Sequence, residues 1–283
     1  MLDGATALAI PTRFGQSLEV TPCKENGISW KSYDKNGELW FSGKITIIAG
    51  KLKSVAQNET SQTLIRILEK AKELNPIFLE DHNGYSITTQ LEFPRDWGLG
   101  SSSTLINNIA QWAKVDGFTL LKSSFGGSGY DISIAQNATP ILYKKEDGAP
   151  KSEVVSIHWD FLDRLFFVHL NEKQNSKKGI ALYKKVIPNL IQFSIISAIS
   201  HSLLACGTLT EFESLLEKHE KIISEIIQLP TVKERLFKDY PNAIKSLGAW
   251  GGDFILAVGD ELDQVYFKKK GFKTILPFSD MIL

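Results

Sequence analysis

The most informative stretch of this sequence is residues 97–104, which read Trp97-Gly98-Leu99-Gly100-Ser101-Ser102-Ser103-Thr104. The stretch follows a predicted strand at residues 85–93 and precedes a run of apolar residues at helical spacing from Leu105. Gly98 and Gly100 allow positive φ and a close approach of the backbone to a ligand. The serines can cap the next helix, whose first N–H groups lack internal acceptors and form an anion site. The pattern indicates either a phosphate loop or a plain strand-to-helix turn with an N-cap serine.

The serine hydroxyls of this loop add donors for phosphate oxygens, or oxygen ligands for Mg²⁺. Two common phosphate loops do not fit the sequence. The Walker pattern does not occur, and the dinucleotide fingerprint needs a glycine where the chain has Ser103. A phosphate loop here is therefore of a different kind.

A second glycine turn, at residues 126–131, reads Gly126-Gly127-Ser128-Gly129-Tyr130-Asp131. Its glycines predict a tight turn that ends in a single carboxylate. One interpretation makes Asp131 the cap of a helix that begins at Ile132. The other makes Asp131 the group that takes a proton from a substrate hydroxyl.

A third glycine turn, Gly248-Ala249-Trp250-Gly251-Gly252-Asp253, leads into an apolar strand at residues 254–258. A glycine turn before a strand is common and is weak support for a function by itself. Three such turns in order, each beside a regular element, are more informative.

The ordered trio resembles the GHMP kinases, the superfamily of galactokinase, homoserine kinase, mevalonate kinase and phosphomevalonate kinase. Residues 98–102 match its Gly-Leu-Gly-Ser-Ser loop around the ATP phosphates, and residues 128–131 match a Ser-Gly-x-Asp turn with the catalytic aspartate. Residues 248–252 match a third motif that supports the phosphate loop. The resemblance implies that Asp131 is catalytic and that Ser102 is a Mg²⁺ ligand. It implies ATP binding by Gly98, Leu99, Gly100, Ser101, Ser102, Ser103, Gly248, Gly251 and Gly252.

The resemblance also implies an α+β fold in two domains. Residues 1–155 are expected to resemble the second domain of ribosomal protein S5, and residues 156–283 a ferredoxin-like domain. A polar, lysine-rich stretch at residues 144–153 is the predicted boundary. Strands are predicted at residues 7–10, 17–21, 28–33, 38–41, 85–93, 165–170, 254–258 and 274–277. Helices are predicted around residues 64–74, 105–113, 187–206, 210–228, 231–239 and 260–270.

Two departures from the family pattern stand out. The chain opens at residues 1–5 with what looks like the segment after the family's first motif, so that motif and its strand are expected to be missing. Mevalonate kinases also carry a Mg²⁺-binding glutamate before the catalytic aspartate, but residues 118–125 contain no carboxylate. The second Mg²⁺ ligand is expected to come from elsewhere or to be water.

Composition narrows the classes of partner. Lys+Arg and Asp+Glu are equal at 32 each, which argues against nucleic-acid binding as the main role. Cys23 and Cys206 form no metal or redox spacing, which favours a reducing cytoplasm. The uncharged stretch 187–206 is too polar for a membrane span and predicts a buried helix. The sequence leaves a homodimer open.

The expected function is transfer of the γ-phosphoryl group of ATP to a small hydroxy acid or its phosphate. The resemblance implies mevalonate or phosphomevalonate as the acceptor. Two alternatives stay open: a nucleotide-binding protein without turnover on a kinase scaffold, and an enzyme similar to diphosphomevalonate decarboxylase.

Overall fold

The computed structural model describes residues 1–48, 51–56, 58–81, 83–172, 179, 181, 183–184, 189–248 and 252–283. The chain forms two compact units. The first unit contains residues 14–95 and 99–136, and the second contains residues 1–13, 96–98 and 137–283. The predicted division at residue 155 differs from these units, because residues 141–154 form strands that belong with residues 7–9 in the second unit.

Strands and helices occur in both units, so the α+β fold class is confirmed. The strands are β1 (Ala7–Ala9), β2 (Gln16–Cys23), β3 (Gly27–Tyr33), β4 (Leu39–Ile48), β5 (Lys51–Ser54), β6 (Gly84–Leu91), β7 (Ile141–Glu146), β8 (Ala149–Val154), β9 (Leu165–His169), β10 (Ile244–Ser246), β11 (Phe254–Val258) and β12 (Ile275–Pro277). The helices are α1 (Glu59–Leu74), α2 (Ser101–Ala113), α3 (Gly117–Ser124), α4 (Tyr130–Ala135), α5 (Leu190–Ala205), α6 (Leu209–Ile227), α7 (Val232–Leu236), α8 (Glu261–Lys269) and α9 (Phe278–Met281).

The first unit contains a five-stranded sheet in the order β2-β6-β3-β4-β5. Its neighbouring strands are antiparallel except β3 and β6, which are parallel. Side chains of β3 alternate between buried and less buried positions, as expected for a sheet with one covered face. Helices α1 to α4 contribute to one core with this sheet. That core includes Ile28, Trp30, Ile45, Leu64, Ile67, Leu68, Ile87, Ile106, Ile109, Leu120 and Ile132.

Helix α1 follows the apolar spacing of its sequence. Leu64, Ile67 and Leu68 are buried, and the side chain of Asn58 caps the helix by accepting a hydrogen bond of 2.8 Å from the Ser61 amide. Asn75 lies at its C-terminal end, as predicted. The cap fixes where the helix begins, and the apolar stripe fixes which side faces the sheet.

The second unit contains a three-stranded sheet (β1-β7-β8) and a four-stranded sheet (β10-β11-β9-β12). Every residue of β9 and β11 is buried, which explains why both strands read as continuous apolar runs rather than alternating ones. The core around them includes Phe166, Val168, Phe237, Tyr240, Ile244, Ile255, Ala257 and Phe267.

The lysine-rich stretch 144–153, predicted as a domain boundary, is instead part of a hairpin. Strands β7 and β8 pair in antiparallel register across a turn at residues 147–148. Lys144 and Lys151 each approach Glu146, at 2.6 and 2.8 Å. All six residues of β8 are exposed, so its sequence carries no apolar alternation that would have marked it as a strand.

Helix α5 explains the small polar residues of the uncharged stretch. Ser200 donates a hydrogen bond of 2.9 Å to the carbonyl oxygen of Thr6, and the Thr6 amide donates one of 3.0 Å to the Ser197 hydroxyl. These serines therefore bind the segment before β1. No helix within the described ranges is both long enough and apolar enough to cross a membrane. The predicted first residues of this helix, 187 and 188, lie outside the described residues.

Candidate active site

The glycine-serine turn begins α2 in the first unit. Gly100 is the N-cap residue, with φ 74° and ψ 27°, and it supplies no side-chain cap. The expectation that a serine caps this helix is therefore wrong, because Ser101, Ser102 and Ser103 lie within the first turn instead. Their position leaves the helix N-terminus without a side-chain acceptor from its cap residue. An N-terminus of this kind favours an anionic ligand.

Helix α2 is held at its N-terminal end by β2. The Thr104 hydroxyl donates a hydrogen bond of 2.9 Å to the Gln16 side-chain oxygen. The side-chain amide of Asn108 donates one of 2.8 Å to the Gln16 carbonyl oxygen. Ser102 is exposed, whereas Ser101 and Ser103 are half-buried. The sheet thus fixes the helix while a hydroxyl of the first turn stays accessible.

Asp131 lies beside this turn. A Cβ atom placed on Gly100 would be 3.4 Å from Oδ1 and 3.6 Å from Cγ of Asp131. The N-cap of α4 is Gly129, with φ 86°, so Asp131 is not the helix cap that one interpretation proposed. It is the second residue of α4, and its carboxyl group lies next to the start of α2. The structure therefore brings together the two motifs that the sequence separates.

The surroundings of Asp131 change its acidity. Burial raises the pKa of Asp131 to about 6, while hydrogen bonds with the side chains of Tyr130 and Ser103 act in the opposite direction. A carboxylate with a pKa near neutral pH is suited to accept a proton in a reaction. Strongly shifted pKa values of this kind are common at functional sites.

A buried polar contact joins α2 to α4. The Gln136 side-chain amide donates a hydrogen bond of 3.0 Å to Oδ1 of Asn107, which is only 2% exposed. A Cβ on Gly117, at the start of α3, would lie 3.2 Å from Nε2 of Gln136 and 3.4 Å from Oδ1 of Asn107. Sequence reasoning missed this contact, because isolated amide residues carry no periodic pattern.

Gly98 and the third glycine turn lie in the second unit. A Cβ on Gly98, with φ +66°, would be 2.1 Å from Cγ of Asp253 and within 2.4 Å of both its carboxylate oxygens. A Cβ on Gly248 would be 3.8 Å from one of these oxygens. The Asp253 carboxylate thus packs directly on Gly98. Gly252 is buried, and Gly251 lies outside the described residues.

Trp97 packs against the end of the four-stranded sheet in the same unit. Its ring meets Phe254 edge to face, with the centroids 5.3 Å apart, and lies 6.4 Å from the ring of His169. Trp97 therefore contributes to packing within this unit. Trp250, at the other glycine turn, lies outside the described residues.

Asp253, next to the third glycine turn, is a residue that sequence analysis could have identified. It stands between a glycine turn and five consecutive buried apolar residues, and it is itself only 9% exposed. A carboxylate at such a position needs a specific partner or role. Across the described ranges, His, Cys, Asp and Glu side chains form no group of three or more that would hold a metal ion.

No protein-family model matches the sequence, and no curated protein is significantly similar to it. Solved structures are similar over nearly the whole chain. Mevalonate kinase of Methanococcus jannaschii has a TM-score of 0.66 at 15% identity, covering 96% of this chain and 90% of that chain. Phosphomevalonate kinase of Streptococcus pneumoniae, in complex with phosphomevalonate and AMPPNP, has a TM-score of 0.65 at 17% identity, covering 95% and 90%. The chain has the GHMP kinase fold.

A third similar structure is that of a kinase named for a sugar phosphate. D-glycero-D-manno-heptose 1-phosphate kinase of Bacteroides thetaiotaomicron has a TM-score of 0.64 at 13% identity, covering 97% of this chain and 87% of that chain. The GHMP kinase fold is therefore shared by kinases named for different small molecules. The expected GHMP-like fold is confirmed, whereas the roles of Asp131 and the loop residues stay predictions.

Proposed function

We propose that this chain is an ATP-dependent small-molecule kinase. The observation that supports this most strongly is the Asp131 carboxyl group beside Gly100, at the uncapped N-terminus of α2. The first unit then contains both the main-chain donors for phosphate and a carboxylate for the acceptor hydroxyl. Phosphoryl transfer needs little beyond such positioning and neutralisation of charge.

The residues present fit the phosphates of ATP. Leu99, Gly100, Ser101 and Ser103 of the first unit would hold them through main-chain amides and hydroxyls. The ATP-binding roles of Gly98, Gly248, Gly251 and Gly252 stay what the resemblance implies. The exposed hydroxyl of Ser102 would bind Mg²⁺, whose other ligands include water. The N-terminal end of α2 adds a favourable field for negative charge.

Asp131 is the proposed general base. ATP supplies the phosphoryl group when bound. When the acceptor is a hydroxyl, as in mevalonate, the Asp131 carboxylate would accept its proton as that oxygen forms a bond to the γ-phosphorus. When the acceptor is the ionised phosphate of phosphomevalonate, there is no proton to remove, and a phosphate oxygen forms this bond directly. The bond from the γ-phosphorus to the β,γ-bridging oxygen breaks, and ADP leaves with that oxygen. The amides of residues 99–103 stabilise the negative charge on the phosphates.

We propose mevalonate or phosphomevalonate as the acceptor, since the glycine-turn motifs resemble those of their kinases. The test incubates the purified chain with Mg-ATP and each member of a panel: mevalonate, phosphomevalonate, diphosphomevalonate, galactose and homoserine. Acceptor-dependent release of ADP is the expected result for mevalonate or phosphomevalonate. Calorimetry with Mg-ATP runs alongside.

The other outcomes separate the alternatives. Carbon dioxide released from diphosphomevalonate would indicate a decarboxylase. Binding of Mg-ATP without turnover of any acceptor would indicate a nucleotide-binding protein. No binding of Mg-ATP would overturn the proposed function altogether. Asp131→Asn is the variant that tests the proposed general base. Asp160→Asn, at an exposed position, is its matched control.

A further inference from the structure

Strand β8 lies at the edge of the three-stranded sheet in the second unit. The sheet has the order β1-β7-β8, and all six residues of β8 are exposed. Within the described residues, no strand pairs with the outer side of β8. The N–H and C=O groups along such an edge can pair with a strand of another chain. Which chain fits depends on the residues that β8 presents.

The pairing with β7 determines which main-chain groups of β8 face outward. Just beyond the last paired residues of the two strands, the Val155 amide donates a hydrogen bond of 2.9 Å to the carbonyl oxygen of Pro140. Hydrogen-bonded and non-hydrogen-bonded positions alternate along an antiparallel pair. Counting back from Val155, the main-chain groups of Glu153, Lys151 and Ala149 therefore face β7.

The other three residues of β8 turn their main-chain groups outward. They are Pro150, Ser152 and Val154. Pro150 has no N–H, and at an outward position its absence removes no hydrogen bond to β7. Ser152 and Val154 each present an N–H donor and a carbonyl acceptor. The outer side of β8 can therefore continue the sheet, with donors at two positions and acceptors at three.

The sequence of β8 is complementary to itself in one antiparallel register. When two copies pair about a two-fold axis at Ser152, Lys151 lies opposite Glu153 of the second copy. These opposite charges attract each other across the two strands. On the other face of the sheet, Val154 lies opposite Pro150 of the second copy. Val154 is 61% exposed in the single chain, so the pairing covers an apolar side chain.

The charges disfavour the two neighbouring registers. Because outward-facing residues have to meet outward-facing residues, the axis can otherwise lie only at Lys151 or at Glu153. An axis at Lys151 places two lysines directly opposite each other, and an axis at Glu153 places two glutamates opposite each other. Like charges directly opposite destabilise an antiparallel pair. Only the axis at Ser152 brings opposite charges together.

We propose that the chain forms a homodimer in which β8 pairs with β8 of a second copy about a two-fold axis at Ser152. The two Ser152 residues exchange a pair of main-chain hydrogen bonds. Each Val154 amide donates one more to the carbonyl oxygen of Pro150 in the other copy. A contact of this size is small for a protein interface, so the dimer is weak and depends on concentration. The inference does not depend on the proposed function, and it stands or falls whether or not the chain binds Mg-ATP.

Sedimentation velocity of the full chain tests whether the dimer forms. We expect the average mass to rise toward twice that of the monomer between about 1 and 300 µM protein. Ser152→Pro removes the outward N–H at the axis and no hydrogen bond to β7. It should raise the dissociation constant at least about tenfold and leave the thermal midpoint close to that of the wild type. Ser152→Ala keeps the N–H and should dimerise like the wild type. A chain that stays monomeric, or a dimer that Ser152→Pro leaves unchanged, would overturn the proposal.

Charge reversal tests the register without a change in the main chain. Lys151→Glu alone, or Glu153→Lys alone, places like charges opposite each other, and each should weaken self-association about tenfold. A mixture of the two variants has opposite charges at both places, so the mixed dimer should recover at least the wild-type affinity. Lys218→Glu, at an exposed position of α6, is the control for net charge. Association in the mixture that is as weak as in the separate variants would contradict the register.

Disulfide cross-linking tests where the axis lies. In the proposed register the Cα atoms of the two Ser152 residues are about 5.5 Å apart, which suits a disulfide. In a Cys23→Ser background, Ser152→Cys should therefore give a covalent dimer under copper-catalysed oxidation by air. Pro150→Cys is the matched control on the same edge, because its two copies are roughly 14 Å apart. The absence of a cross-link at position 152, or an equal yield at position 150, would place the axis elsewhere and overturn the proposal.

Discussion

Two carboxylates lie beside glycines of the same turn. They differ in their distance from the position where each glycine would carry a Cβ atom. Oδ1 of Asp131 is 3.4 Å from the Cβ position of Gly100, close to an ordinary van der Waals contact. Cγ of Asp253 is 2.1 Å from that of Gly98, so its carboxylate fills the space. The two contacts therefore differ in kind: the Asp131 carboxyl group lies at the edge of van der Waals distance from the Cβ position of Gly100, whereas the Asp253 carboxylate occupies the Cβ position of Gly98.

The largest effect should come from Asp131→Asn. We expect turnover to fall by roughly 10²–10⁴-fold, because the substitution removes the proton acceptor and keeps the shape. A coupled assay of ADP release with the best acceptor of the panel measures it. Near-normal turnover would remove Asp131 from the mechanism.

The thermal stability of the same variant provides its control. Because burial raises the pKa of Asp131 in the folded chain above its ordinary value, the ionised form opposes folding at neutral pH. This penalty is absent at low pH and grows as the pH rises toward about 6. Asp131→Asn should therefore be at least as stable as the wild type at pH 7.5. A large loss of stability would attribute the lost turnover to misfolding.

Alanine substitution at Gly98 and Gly100 should separate an overlapping contact from a van der Waals contact. Both have positive φ, so each substitution costs about 1–2 kcal/mol of unfolding free energy from the backbone. Gly98→Ala should cost about 1–3 kcal/mol more, because its methyl group overlaps Asp253. Urea unfolding measures both. Gly37→Ala is the matched control, since Gly37 has φ +79° and nothing within 4 Å of its Cβ position.

Equal losses of unfolding free energy at positions 98 and 100 would contradict the difference in packing at the two Cβ positions. A loss at position 37 as large as that at position 98 would assign the whole effect to backbone conformation.

The pH dependence of kcat/KM should show a smaller effect. We expect activity to fall below about pH 6 as Asp131 becomes protonated. Ser103→Ala removes a hydrogen bond that lowers this pKa, so the acid limb should move to higher pH, by about one unit or less. Initial rates between pH 5 and 9 measure the shift. An acid limb that stays in place, or moves to lower pH, would show that Ser103 does not stabilise the ionised carboxylate.

The smallest effect is expected at Gln136. Gln136→Ala leaves Oδ1 of the buried Asn107 without this donor, which should cost about 1 kcal/mol of unfolding free energy. Turnover should fall only a fewfold, because α4 keeps its apolar contacts. Gln62→Ala, at an exposed position of α1, is the control. A variant as inactive as Asp131→Asn would place Gln136 much closer to the chemistry than this structure does.

The sequence predicts most of the regular structure, because the physical signals are local. The apolar stripe of α1 and the continuous apolar runs of β9 and β11 identify these elements directly. Strand β8 has no such signal, because it is exposed along its whole length. A charged strand resembles a linker until its pairing partner is known.

The candidate site is only partly visible in the sequence for a related reason. The two glycine turns and Asp131 carry recognisable patterns, whereas their proximity depends on the packing of α4 beside α2. Asp253 is more difficult still, since its contact with Gly98 joins residues that are far apart in the chain. The cap of α2 is Gly100 rather than a serine, and the sequence alone does not separate the two because both are good residues at a helix start.

The pairing of residues 7–13 with residues far along the chain has a consequence for synthesis on the ribosome. Strand β1 pairs with β7, the Arg13 amide donates a hydrogen bond of 2.9 Å to the carbonyl oxygen of Met281, and the Leu283 amide donates one to Pro11. The first unit has all its residues once position 136 has left the exit tunnel, but residues 11–13 have to wait for residues 281–283. The nascent second unit therefore remains incomplete until residues 281–283 have been made, and its unpaired segments stay exposed for longer than those of the first unit.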